Sequence, residues 1–342
     1  MNEQQRMLAD TVERLFPGIA AQQRGHGARE SFTAAWERVR ELGIADVLVP
    51  EEAGGFGGSW QDARIVMHAC GQHALPLPVG ETLVARKLLC GTGMAAPPEA
   101  AITLALGAEA TVAEGAVTLR LASVPWGGGE ACVLTAFQHE GTEYLALYDT
   151  AAAAQRRARD CAGSEPRFDL VLDERALLAS CRCEHARRDL RACGALLRAV
   201  QTGGALQGAL TLTVAHVNER VQFGRALSKF QVVQHQLALL AEEAAAVSCA
   251  SGAACLAADT GDAGFAIACA KLRANRSVHQ ATSIAHQLHG AIGFTREHAL
   301  HHFTQRLWGW RSEFGNDRYW ASRLGGMVAR GGASDLWSRV TG

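Results

Sequence analysis

Glu219-Arg220-Val221-Gln222-Phe223-Gly224, followed closely by Phe230-Gln231, and His286-Gln287-Leu288-His289-Gly290-Ala291-Ile292-Gly293-Phe294-Thr295 are the two stretches whose reading decides the fold. Each closes a long apolar stripe of helical spacing. Leu196, Val200, Gly203, Leu206, Leu210 and Val217 share one face up to Arg220, and Phe265, Leu272, Val278, Ala281, Ala285 and Leu288 share one face up to the second stretch. Val233, Leu237, Leu240, Ala244 and Val247 give a stripe between them, and the tail from about residue 299 gives a fourth. Four long helices joined by short links predict a bundle.

Working outward, residues 1 to about 96 also read as helical. Leu8, Val12 and Leu15 open one amphipathic stretch, and Phe32, Trp36, Val39 and Leu42 mark another that Gly43 stops. Val47 to Gly58 contains Pro50 and four glycines and predicts a loop. Helix resumes over Ala63–Leu75, breaks at Pro76-Leu77-Pro78, and returns over Thr82–Leu89. Between about 97 and 180 the texture changes. Ile102–Leu106, Val117–Leu121, Tyr144–Tyr148 and Phe168–Leu172 alternate as strands, with turns at Gly127-Gly128-Gly129 and Gly141. The expected organisation is an N-terminal helical domain (1–96), a small, abbreviated antiparallel β domain (97–180) and a C-terminal helical bundle (181–342).

The chain has 342 residues, 48% hydrophobic and 20% charged, which suits a large buried core. Lys+Arg (33) and Asp+Glu (34) nearly cancel, for a net charge of -1, so nothing recommends nucleic acid or an anionic membrane as partner. No apolar run is expected to approach the roughly 18 residues that span a bilayer. The N-terminus lacks a signal peptide's basic start and apolar core, so a cytoplasmic location is expected. Most of the 10 cysteines, such as Cys193, Cys249, Cys255 and Cys269, lie in apolar helical stretches and read as reduced core thiols.

The chemistry concentrates in the two opening stretches. A guanidinium at Arg220 suits bidentate contact with a pyrophosphate. Phe223 offers a face to a flat ring, Gln287 pairs with a heterocycle, and Gly290 and Gly293 let the backbone approach a ligand. The competing reading is a surface ion pair for Arg220 and an ordinary core ring for Phe223.

With these motifs the chain resembles the acyl-CoA dehydrogenase family of flavoenzymes: mainly α, with an N-terminal helical domain, a β domain and a C-terminal four-helix bundle. The matching strings are Arg220–Gly224 with Phe230-Gln231, Gln287–Thr295, and Glu41-Leu42-Gly43-Ile44 running into Val49–Gly57. The resemblance implies FAD, an acyl-CoA substrate desaturated between its α and β carbons, and an electron-transfer flavoprotein as acceptor. It assigns cofactor contact to Arg220, Gln222, Phe223, Gln231, Gln287, Gly290 and Ala291, reaching FAD held mainly by a neighbouring subunit.

The chain departs from the family pattern in three places. No Thr-Glu-Pro or Ala-Gly-Ser-Asp type segment, which would cradle the flavin ring, stands between Leu106 and Val124. Phe314 occupies the usual place of the catalytic glutamate, with Glu313 one residue early. The alternative base position on the first bundle helix falls near Gly194. Glu313 is thus the one candidate base, against a structural role paired with Arg311 or Arg318. Two assemblies follow: a self-sufficient homo-oligomer using Glu313, or a hetero-oligomer in which a second acyl-CoA dehydrogenase subunit supplies the cradle and the base. Known mixed assemblies of the family act on bulky substrates such as steroid side-chain thioesters. An FAD-free, non-catalytic scaffold on the same fold is the alternative of a different class.

Other constellations are weaker. His298 and His301 have a spacing that can ligate zinc, with His302 adjacent, but Glu297 precedes His298 instead of following it, no acidic third ligand is evident, and no metal is expected. Cys181-Arg182-Cys183-Glu184-His185 is too tightly spaced for a zinc knuckle. Gly127-Gly128-Gly129 lacks the Lys-Ser/Thr of a phosphate loop. Trp308 and Trp310 cannot share a helix face, so one is expected in the core and the other at an interface.

Overall fold

The chain divides into two compact units, Met1–Val66 with Leu75–Leu197, and Met67–Ala74 with Arg198–Gly342. The computed structural model describes residues 1–24, 31–113, 116–160 and 165–341. Cys161 lies outside them; the other nine cysteines are free thiols. Cys255 is buried as expected, but Cys249 faces solvent.

In the first unit, α1 (Glu3–Arg24) buries Val12, Phe16 and Ile19. α2 (Phe32–Arg40) is capped by Ser31, whose hydroxyl accepts the Ala34 N–H at 3.2 Å. Trp36 and Val39 are buried, whereas Leu42 is 49% exposed, because the helix ends at Arg40 and Gly43 turns the chain at φ 62°. The glycine-rich loop holds two short 3-10 turns, Ile44–Asp46 and Glu51–Ala53. Gly55 is required there, since a Cβ would stand 2.3 Å from the Val49 carbonyl oxygen. α3 (Trp60–Gln72) runs from the first unit into the second, and α4 (Val79–Thr92) follows. Arg86 of α4 pairs with Asp46 and donates to the Pro98 carbonyl at 2.6 Å, tying the loop to the helix.

Among the described residues eight strands follow: β1 (Ile102–Ala105), β2 (Glu109–Ala113), β3 (Ala116–Pro125), β4 (Cys132–His139), β5 (Thr142–Asp149), β6 (Gln155–Arg159), β7 (Arg167–Leu172) and β8 (Leu177–Arg182). They form two four-stranded sheets, ordered β1-β4-β5-β8 and β2-β3-β7-β6. The antiparallel expectation is corrected at one edge: β1 pairs with β4 in parallel, Ile102 opposite Cys132. β4 did not show as an alternating segment because Cys132 to Phe137 are all buried, and a strand covered on both faces has no polar side. Leu119, Leu121, Val133, Ala146, Leu170 and Leu172 form the core of this region. Most of the described residues between Leu106 and Val124, the stretch that lacks the cradle motif, belong to the antiparallel pair β2 and β3.

α5 (Ala186–Glu219) leads into the second unit. A two-stranded ribbon of β9 (Val221–Gln222) and β10 (Arg225–Ala226) precedes α6 (Gln231–Thr260) and α7 (Gly264–His289). The expected fourth helix is two helices, α8 (Leu300–Ser312) and α9 (Asp317–Thr341). The break falls where Phe314 takes φ 53° and Gly315 φ 113°. Trp310 is buried and Trp308 is 44% exposed. Among the described residues α6 is long and apolar enough, by length and composition, to cross a membrane, which corrects the expectation that no such run exists. Its buried Val233, Leu240, Ala244 and Val247, and the ion pair of its Glu243 with Arg273 of α7, are features of a bundle helix.

Candidate functional site

The apolar stripe of α5 ends at buried Val217, and His216, one turn before Arg220, accepts the Arg220 N–H at its carbonyl at 2.9 Å. Beyond Arg220 the chain reverses in two residues, with Gln222 opposite Arg225. Phe223 and Gly224 both take left-handed backbone angles, φ 52° and 79°, the turn that matches the twist of a tight hairpin. Phe223 is thereby held 89% exposed, with its ring edge-on to Phe230 at 6.2 Å, and the Arg225 guanidinium lies 4.2 Å above Phe230. Gln222 and Gln231 are exposed, and so is Arg220, whose guanidinium has no hydrogen-bond or ion-pair partner among the described residues.

α7 ends at His289, and Gly290 follows with φ 63° and ψ −146°, a conformation that favours glycine. A Cβ at Gly290 would meet nothing within 4 Å, so the residue is needed for its backbone and leaves open space beside it. Gln287, Gly290 and Ala291 are exposed. Phe294 is also exposed and stacks on His286 at 4.3 Å, and His286 Nε2 lies 3.1 Å from the Thr304 hydroxyl.

The two motifs meet through histidines that the sequence reading passed over. The rings of His216 and His289 stack at 4.6 Å, which brings the end of α5, with Arg220, beside the end of α7, with Gln287 and Gly290. His298 joins them, 4.6 Å from His289. Burial lowers the pKa of all three below the usual imidazole value, that of His289 to about 4; neighbouring imidazoles push His289 and His298 the same way, and the Arg220 guanidinium does so for His216. His298 therefore clusters with His216 and His289, whereas His301 and His302 pack on each other at 4.0 Å.

Glu313 sits elsewhere in the bundle. Its carboxylate accepts Arg198 Nε at 2.8 Å, and the Arg198 side chain is fully buried. Arg198 also donates to Gln201 Oε1 at 2.5 Å and lies 5.2 Å from the Trp310 ring. Lys271, buried nearby, donates to Asn275 Oδ1 at 2.6 Å and to the Trp310 carbonyl at 2.8 Å. Burial drives its pKa down to about 7, and Glu313 opposes that shift. The expected partners of Glu313 are corrected: Arg311 pairs with Asp317 at 2.6 Å, and Glu313 pairs with Arg198. The available signal was a charge inside an apolar stripe, Leu197-Arg198-Ala199 on α5 and Ala270-Lys271-Leu272 on α7.

Known proteins share both the sequence pattern and the fold. Residues 2–95 match the acyl-CoA dehydrogenase N-terminal domain and residues 192–317 the acyl-CoA dehydrogenase C-terminal domain. The acyl-CoA dehydrogenase IpdE2 of Mycobacterium tuberculosis is 30% identical over 315 residues, 90% of this chain and 92% of that protein. A variant of the steroid ACAD Tcur3481-Tcur3483 superposes with TM-score 0.81 at 26% identity, over 96% of this chain and 98% of the other. The ChsE4-ChsE5 complex from Mycobacterium tuberculosis shares the fold at TM-score 0.82 and 18% identity, over 97% and 99% of the two chains. The chain belongs to the acyl-CoA dehydrogenase family.

Proposed function

We propose that this chain is the cofactor-clamping subunit of a hetero-oligomeric, FAD-dependent acyl-CoA dehydrogenase that introduces a double bond between the α and β carbons of an acyl-CoA thioester. The observation that carries the reading is a contrast within the bundle. The cofactor motifs lie together and outward-facing, while the one candidate base is bound to a buried guanidinium.

The residues present fit the dinucleotide end of FAD. Arg220 offers an exposed, unpaired guanidinium for a pyrophosphate, Phe223 an exposed ring, and Gln287 an exposed amide for a heterocycle. The open space at Gly290 admits backbone contact, with Gln222, Gln231 and Ala291 at the margins. When bound, FAD supplies the two-electron acceptor for the β-hydrogen. This chain's part is to hold and orient the cofactor; the partner, a second acyl-CoA dehydrogenase subunit, supplies the flavin-ring cradle and the carboxylate that takes the α-proton. Val221, Phe223, Val232, Ile292 and Phe294 are exposed apolar side chains at or beside these motifs, which suits a surface covered by a partner. The relatives solved as two-protein assemblies support the same reading, and the steroid relative suggests a bulky acyl group. An electron-transfer flavoprotein fits as acceptor and the cytoplasm as location.

Co-expression with the gene product encoded alongside tests the proposal. A stoichiometric complex showing flavin absorbance and acyl-CoA oxidation, with neither activity nor stoichiometric flavin in this chain alone, is the expected result. Flavin binding and turnover by the isolated chain would restore the homo-oligomer with Glu313 as base. A colourless complex that FAD does not stabilise would favour the scaffold.

A further inference from the structure

Three imidazoles from separate segments converge in the bundle. His216 lies three residues before the end of α5, His289 is the last residue of α7, and His298 lies in the link before α8. One potential ligand atom from each stands within 4.8 Å of the other two. His289 is only 5% exposed, and its Nδ1 lies 2.8 Å from the Ala285 carbonyl oxygen. That contact requires an N–H at Nδ1 and leaves the lone pair on Nε2. Nε2 is buried and has no hydrogen-bond partner among the described residues. Buried polar atoms without partners are rare enough to need a reason. A backbone carbonyl that fixes one ring nitrogen so that the other presents its lone pair is the arrangement that orients metal-binding histidines.

We propose that His216, His289 and His298 form a binding site for a first-row divalent transition cation of the Zn²⁺ or Co²⁺ type. Three imidazoles without a carboxylate or thiolate favour such ions over Ca²⁺ and Mg²⁺, which take oxygen ligands. Three ligands leave a fourth tetrahedral position for water. Zinc–nitrogen distances of about 2.0–2.1 Å place tetrahedral ligand nitrogens about 3.3 Å apart, so loading draws the side chains together by up to about 1.5 Å. His298 Nδ1 accepts the Leu300 N–H at 3.2 Å. Ligation through Nε2 transfers the ring proton to Nδ1 and releases that long contact; ligation through Nδ1 replaces it. His216 and His298 are half-buried, which gives an ion access to the cluster.

The bound ion acts as a clasp. It joins the end of α5, the end of α7 and the link before α8, segments that meet here through ring contacts. The site stands on its own geometry and does not depend on FAD binding.

The test uses the full chain, tag-free and stripped with a chelator, titrated with Zn²⁺ against a chromophoric competitor and separately with Co²⁺ by visible absorption. Expected are one saturable equivalent of either ion, a four-coordinate Co²⁺ spectrum and a raised Tm. His216→Gln and His298→Gln, both at half-buried positions, should each weaken Zn²⁺ binding by at least about 100-fold, the upper range for losing an outer-shell partner alone. The His301→Gln/His302→Gln pair should bind like the unsubstituted chain. Circular dichroism identifies folded variants, and His289→Gln provides a second route if either single change disturbs folding. No saturable binding by the unsubstituted chain, or undiminished binding by a folded His216→Gln/His298→Gln double variant, overturns the proposal.

Discussion

Glu313 and Arg198 are 115 residues apart in sequence and joined at 2.8 Å in the bundle. Because the guanidinium is fully buried, the pair is a local charge balance, and removing one member takes that opposite charge from the other. Glu313→Ala should lower stability by about 3–5 kcal/mol, and Glu313→Leu with Arg198→Met should recover most of that loss, both read by urea denaturation. Under the proposed division of labour, Glu313→Gln in the assembled enzyme should lower kcat by less than about tenfold, whereas losing a general base costs about 10²–10⁴-fold. The histidine cluster predicts a pH effect of definite sign. The folded chain binds a proton at His289 only near pH 4, while the unfolded chain binds it near 6.5. Between those values the unfolded state holds more protons, so this contribution is fully present above pH 6.5 and is lost as pH falls toward 4. His216 and His298 act with the same sign. Urea midpoints should therefore fall from pH 7 to pH 5, and His289→Gln should flatten that slope.

At the scale of elements, the end of α3 and the middle of α5 approach through glycine. A Cβ on Gly71 would stand 2.0 Å from the Gln201 carbonyl oxygen, and one on Gly204 would stand 2.0 Å from that of His68. Backbone cannot yield to such an overlap as a side-chain tip can, so the helices must separate. Gly204→Ala should cost about 1–3 kcal/mol or more, seen as a lower urea midpoint at unchanged m-value. The hairpin after Arg220 makes a different demand. Phe223 already occupies a left-handed conformation that bulky residues avoid, which holds its ring out in solvent beside Arg220.

For the whole molecule, the exposed ring of Phe223 predicts an assembly phenotype. Phe223→Asp should abolish co-purification with the partner while leaving the Tm of the isolated chain nearly unchanged, because the ring is not part of the core. The bundle was legible because each long helix repeats its buried residues at three and four positions. The motif positions were legible because Gly224 and Gly290 interrupt those patterns. β4 was hidden by burial on both faces, and the break at Phe314-Gly315 by the apolar pattern that continues on either side of it. The partners of Glu313 and of His216 were hidden for another reason: they lie far off in sequence, and periodicity carries no information about which helix faces which.

The parallel pairing of β1 with β4 gives the chain a waiting time. Hairpin strands can pair soon after they are made, but β1 needs β4, and Cys132 follows Ile102 by 30 residues. At about 5–20 residues per second of synthesis, β1 exists for on the order of seconds with its partner unmade. Thr82 is already present, and its hydroxyl accepts the Ile102 N–H at 2.8 Å in the finished fold. α4 can thus hold the start of β1 during translation, which makes Thr82 a guard of the nascent edge as well as a buried hydrogen-bond partner of the native state.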